Sequence, residues 1–399
     1  METRHIGIFD TKPRYEILDG LRGVAALTVL LYHHFEVFGP GIKSFHGYLA
    51  VDFFFILSGF VIGYAYDDRW KSKSNPNGMT LKAFFKRRLI RLHPMLIAGT
   101  VIGMLLFYFG MGDAMPAIRD AHWKEMLLCF LFALFMIPVP HSLDVKGWGD
   151  FNPFNGNSWT LTFEYIANIL YALVIRHFNN LMLFIFVVIS ALLTIGVGLG
   201  WNLFGVMDTR PDYQIGTFIG GWSLDPDQLV LGFSRLLFPF FAGLLMARLM
   251  CNRYTANGQN SGKRRTFILA SLLLVAVLIV PYINGAVNGI YEMLVILLMF
   301  PIIVGIGAIG NVKGKEQKIC KWLGDISYPL YITHAPIVFT LCEGWKANHP
   351  DASSDQQIFV AVCSYILSIL VAWAAFKLWD IPVRQWLKQN WFNKSNIKK

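Results

Sequence analysis

Charge is scarce in this sequence: only 15% of its 399 residues are Asp, Glu, Lys or Arg, where soluble domains carry about 25%. A soluble fold of this length is therefore excluded. The five cysteines, Cys129, Cys251, Cys320, Cys342 and Cys363, are scattered without a C-x-x-C pair or regular spacing, so neither a disulfide framework nor a metal site is expected. There is no internal repeat, no low-complexity tract and no long hydrophilic stretch to make a second, soluble domain. The basic N-terminus (Arg4, Lys12, Arg14) resembles a signal-peptide n-region, but the apolar run behind it contains Asp19 and Arg22 and lacks a small-residue cleavage site. An uncleaved first span is the expectation.

Apolar residues are plentiful: 55% of the chain is hydrophobic, with 33 Phe and 12 Trp, and the mean hydropathy is +0.48. That surface exceeds what globular cores bury, and its natural solvent is lipid. Apolar runs begin near Ile17, Tyr48, Leu92, Met126, Trp159, Leu181, Leu229, Thr266, Asn288, Leu323 and Ile358. All but one approach the roughly 20 helical residues needed to span. The exception, Met126 to Pro140, stops at Pro138 and Pro140. The expected fold is an all-α polytopic membrane protein of about ten transmembrane helices plus one short re-entrant or interfacial segment. With that segment not crossing and both termini cytoplasmic, the inner loops hold 26 Lys and Arg against 6 in the outer loops, a strong positive-inside bias. If it crossed, the basic loops 251–265 and 311–322 would lie outside. The net charge of +10 is thereby accounted for without a nucleic-acid partner. The expected division is a cytoplasmic segment 1–16, a membrane domain 17–380 and a basic cytoplasmic tail 381–399.

Charged residues within spans are default functional candidates, because each costs a few kcal/mol to insert. In the first span Arg22 and His33 are eleven positions apart, 20° past three full helical turns, so they share one face and are separated by roughly 16 Å along the axis. That spacing suits opposite ends of one long ligand. His34 points about 100° away. The bland alternatives are an interfacial Arg22 paired with Asp19 and a helix–helix hydrogen bond for His33. Arg87, Arg88 and Arg91 cluster at the inner mouth of the third span, where taken alone they read as a positive-inside anchor. Glu164 lies one and a half turns into its span and needs a buried partner or water. Tyr328 and His334, in the ninth crossing, could be interhelical glue.

At these residues the chain resembles the acyltransferase-three family of integral membrane O-acyltransferases, whose bacterial members acetylate glycans and O-antigens. The resemblance is carried by Arg22-x10-His33, Val51-Asp52-Phe53-Phe54-Phe55-Ile56-Leu57-Ser58-Gly59-Phe60, Arg87-Arg88-x-x-Arg91-x-x-Pro94, Trp159-Thr-Leu-x-x-Glu164, Ile326-Ser327-Tyr328-Pro-Leu-Tyr331-Ile-x-His334 and Asp380-x-Pro382-x-Arg384. The last has Asp where Glu is usual. These motifs fall in the family's order from about residue 14 to 386. The resemblance implies transfer of an acyl group, commonly acetyl, from cytoplasmic acyl-CoA to a hydroxyl of a glycan or lipid-linked saccharide, in the bacterial inner membrane. It makes Arg22 and His33 essential, gives Arg87, Arg88, Arg91 and Glu164 supporting roles, and offers Trp159, Ser58, Tyr328 and His334 as substrate contacts. Some relatives carry a C-terminal esterase-like domain; the expectation here is transfer without one, or hand-off to a separate protein.

Arginine holds phosphates through paired donors, so Arg22, Arg87, Arg88 and Arg91 are the expected coenzyme A ligands, with acetyl-CoA as donor substrate. His33 is the expected general base, since an imidazole with an ordinary pKa of about 6.5 accepts a proton near neutrality. Glu36 and Glu164 are alternative partners for it, and direct attack and an acyl-imidazole relay are both open. Trp123, Trp148, Trp201 and Trp222 in the outer loops serve equally as sugar platforms or as interface anchors. The expected partners are acyl-CoA, the saccharide acceptor and the bilayer, with a homodimer left open. The rival readings are a proton-coupled secondary transporter using Arg22, His33 and Glu164, and a membrane acyltransferase acting on a lipid acceptor.

Overall fold

The computed structural model describes residues 14–71, 79–110, 115–210, 215–256 and 266–393. Among these the secondary structure is helical, with one isolated bridge between Phe45 and Pro281. The helices are α1 (Glu16–Phe38), α2 (Ala50–Lys71), α3 (Leu81–Gly110), the short α4 (Pro116–Asp120), α5 (Trp123–Leu134), α6 (Trp159–Leu173), α7 (Asn180–Gly198), α8 (Pro226–Ala256) and α9 (Thr266–Leu278). Then α10 (Ala286–Leu294) passes through a π-helical turn into α11 (Phe300–Ile309). α12 (Lys315–Val338) and the short α13 (Gly344–Asn348) lead to α14 (Ser354–Ala375), which runs on through α15 (Ile381–Leu387) to Asn393. The chain is a polytopic helical membrane protein.

Seven helices among the described residues are long and apolar enough to cross a membrane, from His46–Trp70 to Ser354–Phe392. The other three expected crossings coincide with α1 and α12, whose stripes carry buried polar residues, and with α9, which has 13 described residues. Length and composition thus identify seven of the ten expected crossings among the described residues. The short run from Met126 folds as α5, whose 12 residues reach only about 18 Å, well short of the ~30 Å hydrocarbon core. Met136 then adopts φ +57° and Val139 N–H donates to Phe151 O at 2.9 Å. The chain turns back along its own loop. Residues 1–13, 72–78, most of the basic loop 251–265 and the last six residues, which carry part of the expected inner charge, lie outside the described residues.

The two most extensive helix interfaces are α2 with α8 and α1 with α12. Reciprocal glycines permit the first: a Cβ on Gly59 would strike the Phe240 carbonyl and one on Gly243 the Ile56 carbonyl. In lipid, where apolar contact alone gives no drive to associate, such close backbone approach supplies the packing. Buried ion pairs lock the same helices. Arg235 on α8 bonds Asp52 on α2 at 2.8 Å and also donates to the carbonyls of Tyr48 and Gly220. Arg248 bonds Asp67 at 2.5 Å. The span Ser354–Phe392 has 39 residues, about 58 Å of helix, longer than a hydrocarbon core requires, and its end packs against α3.

Candidate active site

A cavity of about 490 Å³ opens between α1, α2, α3, α6, α12 and the end of the C-terminal helix. Seven basic side chains line it (Arg14, Arg22, Arg69, Arg87, Arg91, Arg384, Lys388) against four carboxylates (Asp19, Glu164, Asp325, Asp380). Each carboxylate is paired: Asp19 with Arg22 at 3.1 Å, Asp325 with Arg14 at 3.7 Å, Asp380 with Arg384 at 2.5 Å, and Glu164 with Arg88. The lining as a whole is positive, which suits a polyanionic ligand. Arg91 belongs to a mid-helix stretch of α3 yet is exposed, because it projects into this cavity.

The predicted residues divide here. Arg22, Arg87, Arg91, Glu164, Ser58 and Tyr328 line the cavity. Arg88 does not: its side chain is 3% exposed and held by Glu164, which also accepts from Ser58 Oγ at 2.8 Å. Trp159 is buried under the Arg235 guanidinium, 5.2 Å from its ring centre, and reaches neither cavity nor histidine. Tyr328 ties α12 to α3 by donating to Leu92 O at 2.5 Å.

His33 lies beyond the far end of the cavity. Its Nδ1 is 2.6 Å from Glu36 Oε2, the contact that places Glu36, and not Glu164, beside the imidazole. His334 is fully buried, its ring centre 5.2 Å from that of His33, and its Nδ1 faces Leu330 O at 2.9 Å. With Nδ1–H of each ring committed to an acceptor, both Nε2 atoms carry lone pairs. Both face one amide: Asn157 Nδ2 is 3.3 Å from His33 Nε2 and 3.0 Å from His334 Nε2. Only the NH2 end of the amide can face two acceptors, which fixes its orientation. His34 points elsewhere, its Nδ1 to Leu30 O at 2.7 Å and its ring toward Tyr365 on α14.

Asn157 belongs to an asparagine-rich turn that sequence reading passed over. Buried irregular backbone must find its hydrogen-bond partners within the protein, and here it does. Asn152 Nδ2 donates to Thr100 and Ser158 hydroxyls at 3.1 and 3.0 Å, while its Oδ1 accepts from Phe154 N. Asn155 Nδ2 donates to Ile332 O at 2.9 Å. Pro336, four residues on, has no N–H for that carbonyl, so Asn155 replaces the missing helical bond. Gly103 on α3 lets the turn in: a Cβ there would strike the Phe154 carbonyl. Outside this turn, Lys146 is buried against Asp150 at 2.6 Å and beneath the Trp148 ring at 3.8 Å. Burial pushes the Asp150 carboxyl up from its ordinary range, with the Lys146 ammonium opposing. Trp148 packs on Phe339 and Phe339 on His33, with ring centres 5.6 and 5.7 Å apart.

A second buried polar cluster surrounds Glu292, which accepts from Thr217 Oγ1 at 2.9 Å, Phe218 N at 2.6 Å, Tyr48 and Asn288. Its hydrogen bonds are complete without a ligand. It reads as interhelical support.

Known proteins resemble the chain to differing extents. It is 33% identical over 166 residues to Protein 2 in the picA locus of Rhizobium radiobacter, covering 40% of this chain and 81% of that protein. It is 21% identical over 379 residues to the peptidoglycan O-acetyltransferase OatA of Listeria monocytogenes, covering 92% of this chain and 55% of that one. It is 27% identical over 176 residues to an O-acetyl transferase of Shigella phage Sf6, 43% and 49% of the respective lengths. No solved structure matches. Residues 15–377, from the start of α1 through the arginine-lined cavity and the paired histidines to the end of α14, match the acyltransferase domain Acyl_transf_3, and the chain belongs to that family.

Proposed function

We propose that the protein transfers an acetyl group from acetyl-CoA, entering from the cytoplasmic side, to a hydroxyl of a glycan or lipid-linked saccharide, with His33 as general base. The observation that carries this reading is continuity between two chemically distinct places. Thr160 and Tyr331 line the arginine-rich cavity, and both hydroxyls donate to Asn157 O, at 3.1 and 3.3 Å. The side chain of that same Asn157 touches His33. A polyanion bound among the arginines thus ends near an imidazole whose Nε2 carries a lone pair, bonded by the Asn157 amide. The O-acetyl transfer in the names of two relatives supports the acetyl group and hydroxyl acceptor. Both termini are assigned to the cytoplasm on the 26-to-6 charge asymmetry and on the half-length α5, in a bacterial inner membrane.

In this reading Arg91, with Arg22 and Arg87, holds the phosphates through charge-assisted bonds, and pantetheine runs toward Thr160 and Tyr331. Glu36 accepts His33 Nδ1–H, which orients the ring and stabilises the imidazolium formed on proton uptake. Calorimetry with acetyl-CoA on the purified protein tests the division of labour. Arg91→Gln should weaken binding roughly ten- to hundredfold, the value of a charge-assisted hydrogen bond of about 1.5–3 kcal/mol, while His33→Ala binds normally and does not turn over. Normal affinity in Arg91→Gln with lost affinity in His33→Ala would place the donor site elsewhere.

A further inference from the structure

We propose that Asn157 is a catalytic residue whose amide N–H receives the negative charge that develops on the reacting carbonyl oxygen. The inference rests on the reading of His33 as the base. The backbone of Asn157 is pinned at the end of the cavity by Thr160 and Tyr331, and its side chain crosses to the histidines. Its two N–H bonds are each directed at a lone pair, on His33 Nε2 and on His334 Nε2.

That arrangement is made to be opened. A hydroxyl approaching His33 Nε2 must displace the Asn157 N–H, since the lone pair serves one donor at a time. The released N–H stays beside the base, placed to bond the oxygen of a carbonyl attacked there. His334 keeps the other N–H, and with its Nδ1 fixed to Leu330 O it holds the amide plane as a positioning residue. The preorganisation required of an oxyanion donor is thus provided by a second, fully buried imidazole.

The electron count follows. The acceptor hydroxyl gives its proton to His33 Nε2 while its oxygen bonds the thioester carbon. The carbonyl π pair moves onto oxygen, where Asn157 N–H bonds it. The pair then returns, the C–S bond breaks, and the coenzyme A thiolate leaves with the proton from His33. Nothing beyond thioester and hydroxyl is consumed.

The test uses the full chain in membranes of a host lacking its own copy, which supply the acceptor, and follows free thiol released from acetyl-CoA, counting transfer and hydrolysis together. Asn157→Ala and the isosteric Asn157→Asp, which keeps the packing and removes the donors, should lower kcat by 10²- to 10³-fold, as loss of one oxyanion donor does. Their KM for acetyl-CoA should stay within about threefold, because the interaction exists only in the transition state. Asn157→Ser, retaining one donor, should recover part of the rate. If Asn157→Asp keeps more than a third of the wild-type rate while His33→Ala is at background, the role of Asn157 is overturned and the base stands. Wild-type turnover in His33→Ala would instead remove the base, and this inference with it.

Discussion

Glu36→Gln isolates the orientation of the base from everything else in the site. The substitution keeps shape and removes the charge 2.6 Å from His33 Nδ1. The imidazolium formed in the transition state loses a carboxylate partner, and the Glu36 side chain is 21% exposed, so the effective dielectric lies between protein and water. Unit charges about 4 Å apart are worth ~4 kcal/mol at a dielectric of 20 and ~1 kcal/mol in water. A hydrogen bond to a charged group contributes about 1.5–3 kcal/mol, within that bracket. The second contribution is the tautomer: a glutamine amide can donate to Nδ1 and force the proton onto Nε2, where it cannot accept. Asn157 resists this by donating to Nε2, so the loss should stay below the roughly 10⁴-fold seen for a fully buried triad carboxylate. The expected result is a 30- to 300-fold fall in kcat at unchanged KM for acetyl-CoA, corresponding to about 2–3.4 kcal/mol, with partial recovery in Glu36→Asp. Glu164→Gln is the control. It strands the buried Arg88 guanidinium and should lower thermal stability by about 3–5 kcal/mol. Wild-type kcat in Glu36→Gln, beside a stably folded Glu164→Gln that is inactive, would show that Glu164 serves the histidine.

His33→Ala should abolish transfer, whereas His34→Ala, whose ring lies against Tyr365, should keep substantial activity; equal loss in two well-folded variants would remove the argument from helical phase. Gly103→Ala should displace the asparagine turn by driving a methyl into the Phe154 carbonyl, costing about 1–3 kcal/mol in stability and, through Asn155 and Asn157, slowing turnover; unchanged thermal unfolding and rate would refute the close approach. In a Cys-less background, single cysteines at the exposed Trp201 and Pro350 should react only from outside and one at Lys318 only from the cytoplasm. Phe45 and Asp150, in two other loops expected outside, are too buried to report. External labelling at Lys318 would reverse the orientation.

The fold was legible wherever a rule acts along the chain. Lipid demands a run of roughly 20 apolar residues per crossing, and every such run contains a helix, while the run that ended at two prolines became the short α5. Polar stripes are where this rule loses force. α1 and α12 carry Asp19, Arg22, His33 and Glu36, and Asp325, Ser327 and His334, and hydropathy alone does not class them as crossings. The presumption that a charge inside a span is functional also separates badly from support: Asp52 and Arg235 neutralise each other across α2 and α8, a contact 183 residues apart that no local pattern encodes.

The same distinction runs through the site. Arg22 and His33 could be placed together because a helix fixes the angle between two of its own residues, and Glu36 fell within reach of His33 for the same reason, one turn on. Whether Glu36 or Glu164 meets the imidazole depended instead on where α3 stands, since Arg88 takes Glu164 and removes it from contention. Asn157 was invisible on both counts. It lies in a turn, where no helical phase applies, and its partners come from α1 and α12. What marks it is indirect: Pro336 leaves the Ile332 carbonyl without an N–H in a segment that lipid would punish for it, so an amide from elsewhere must come to α12. Asn155 supplies that bond, and in docking there it carries Asn157 to the gap between the two histidines. A proline in one helix thereby fixes a side chain in a distant loop, the bond that anchors the loop to Ile332 and the contact it delivers to His334 each spanning 177 residues.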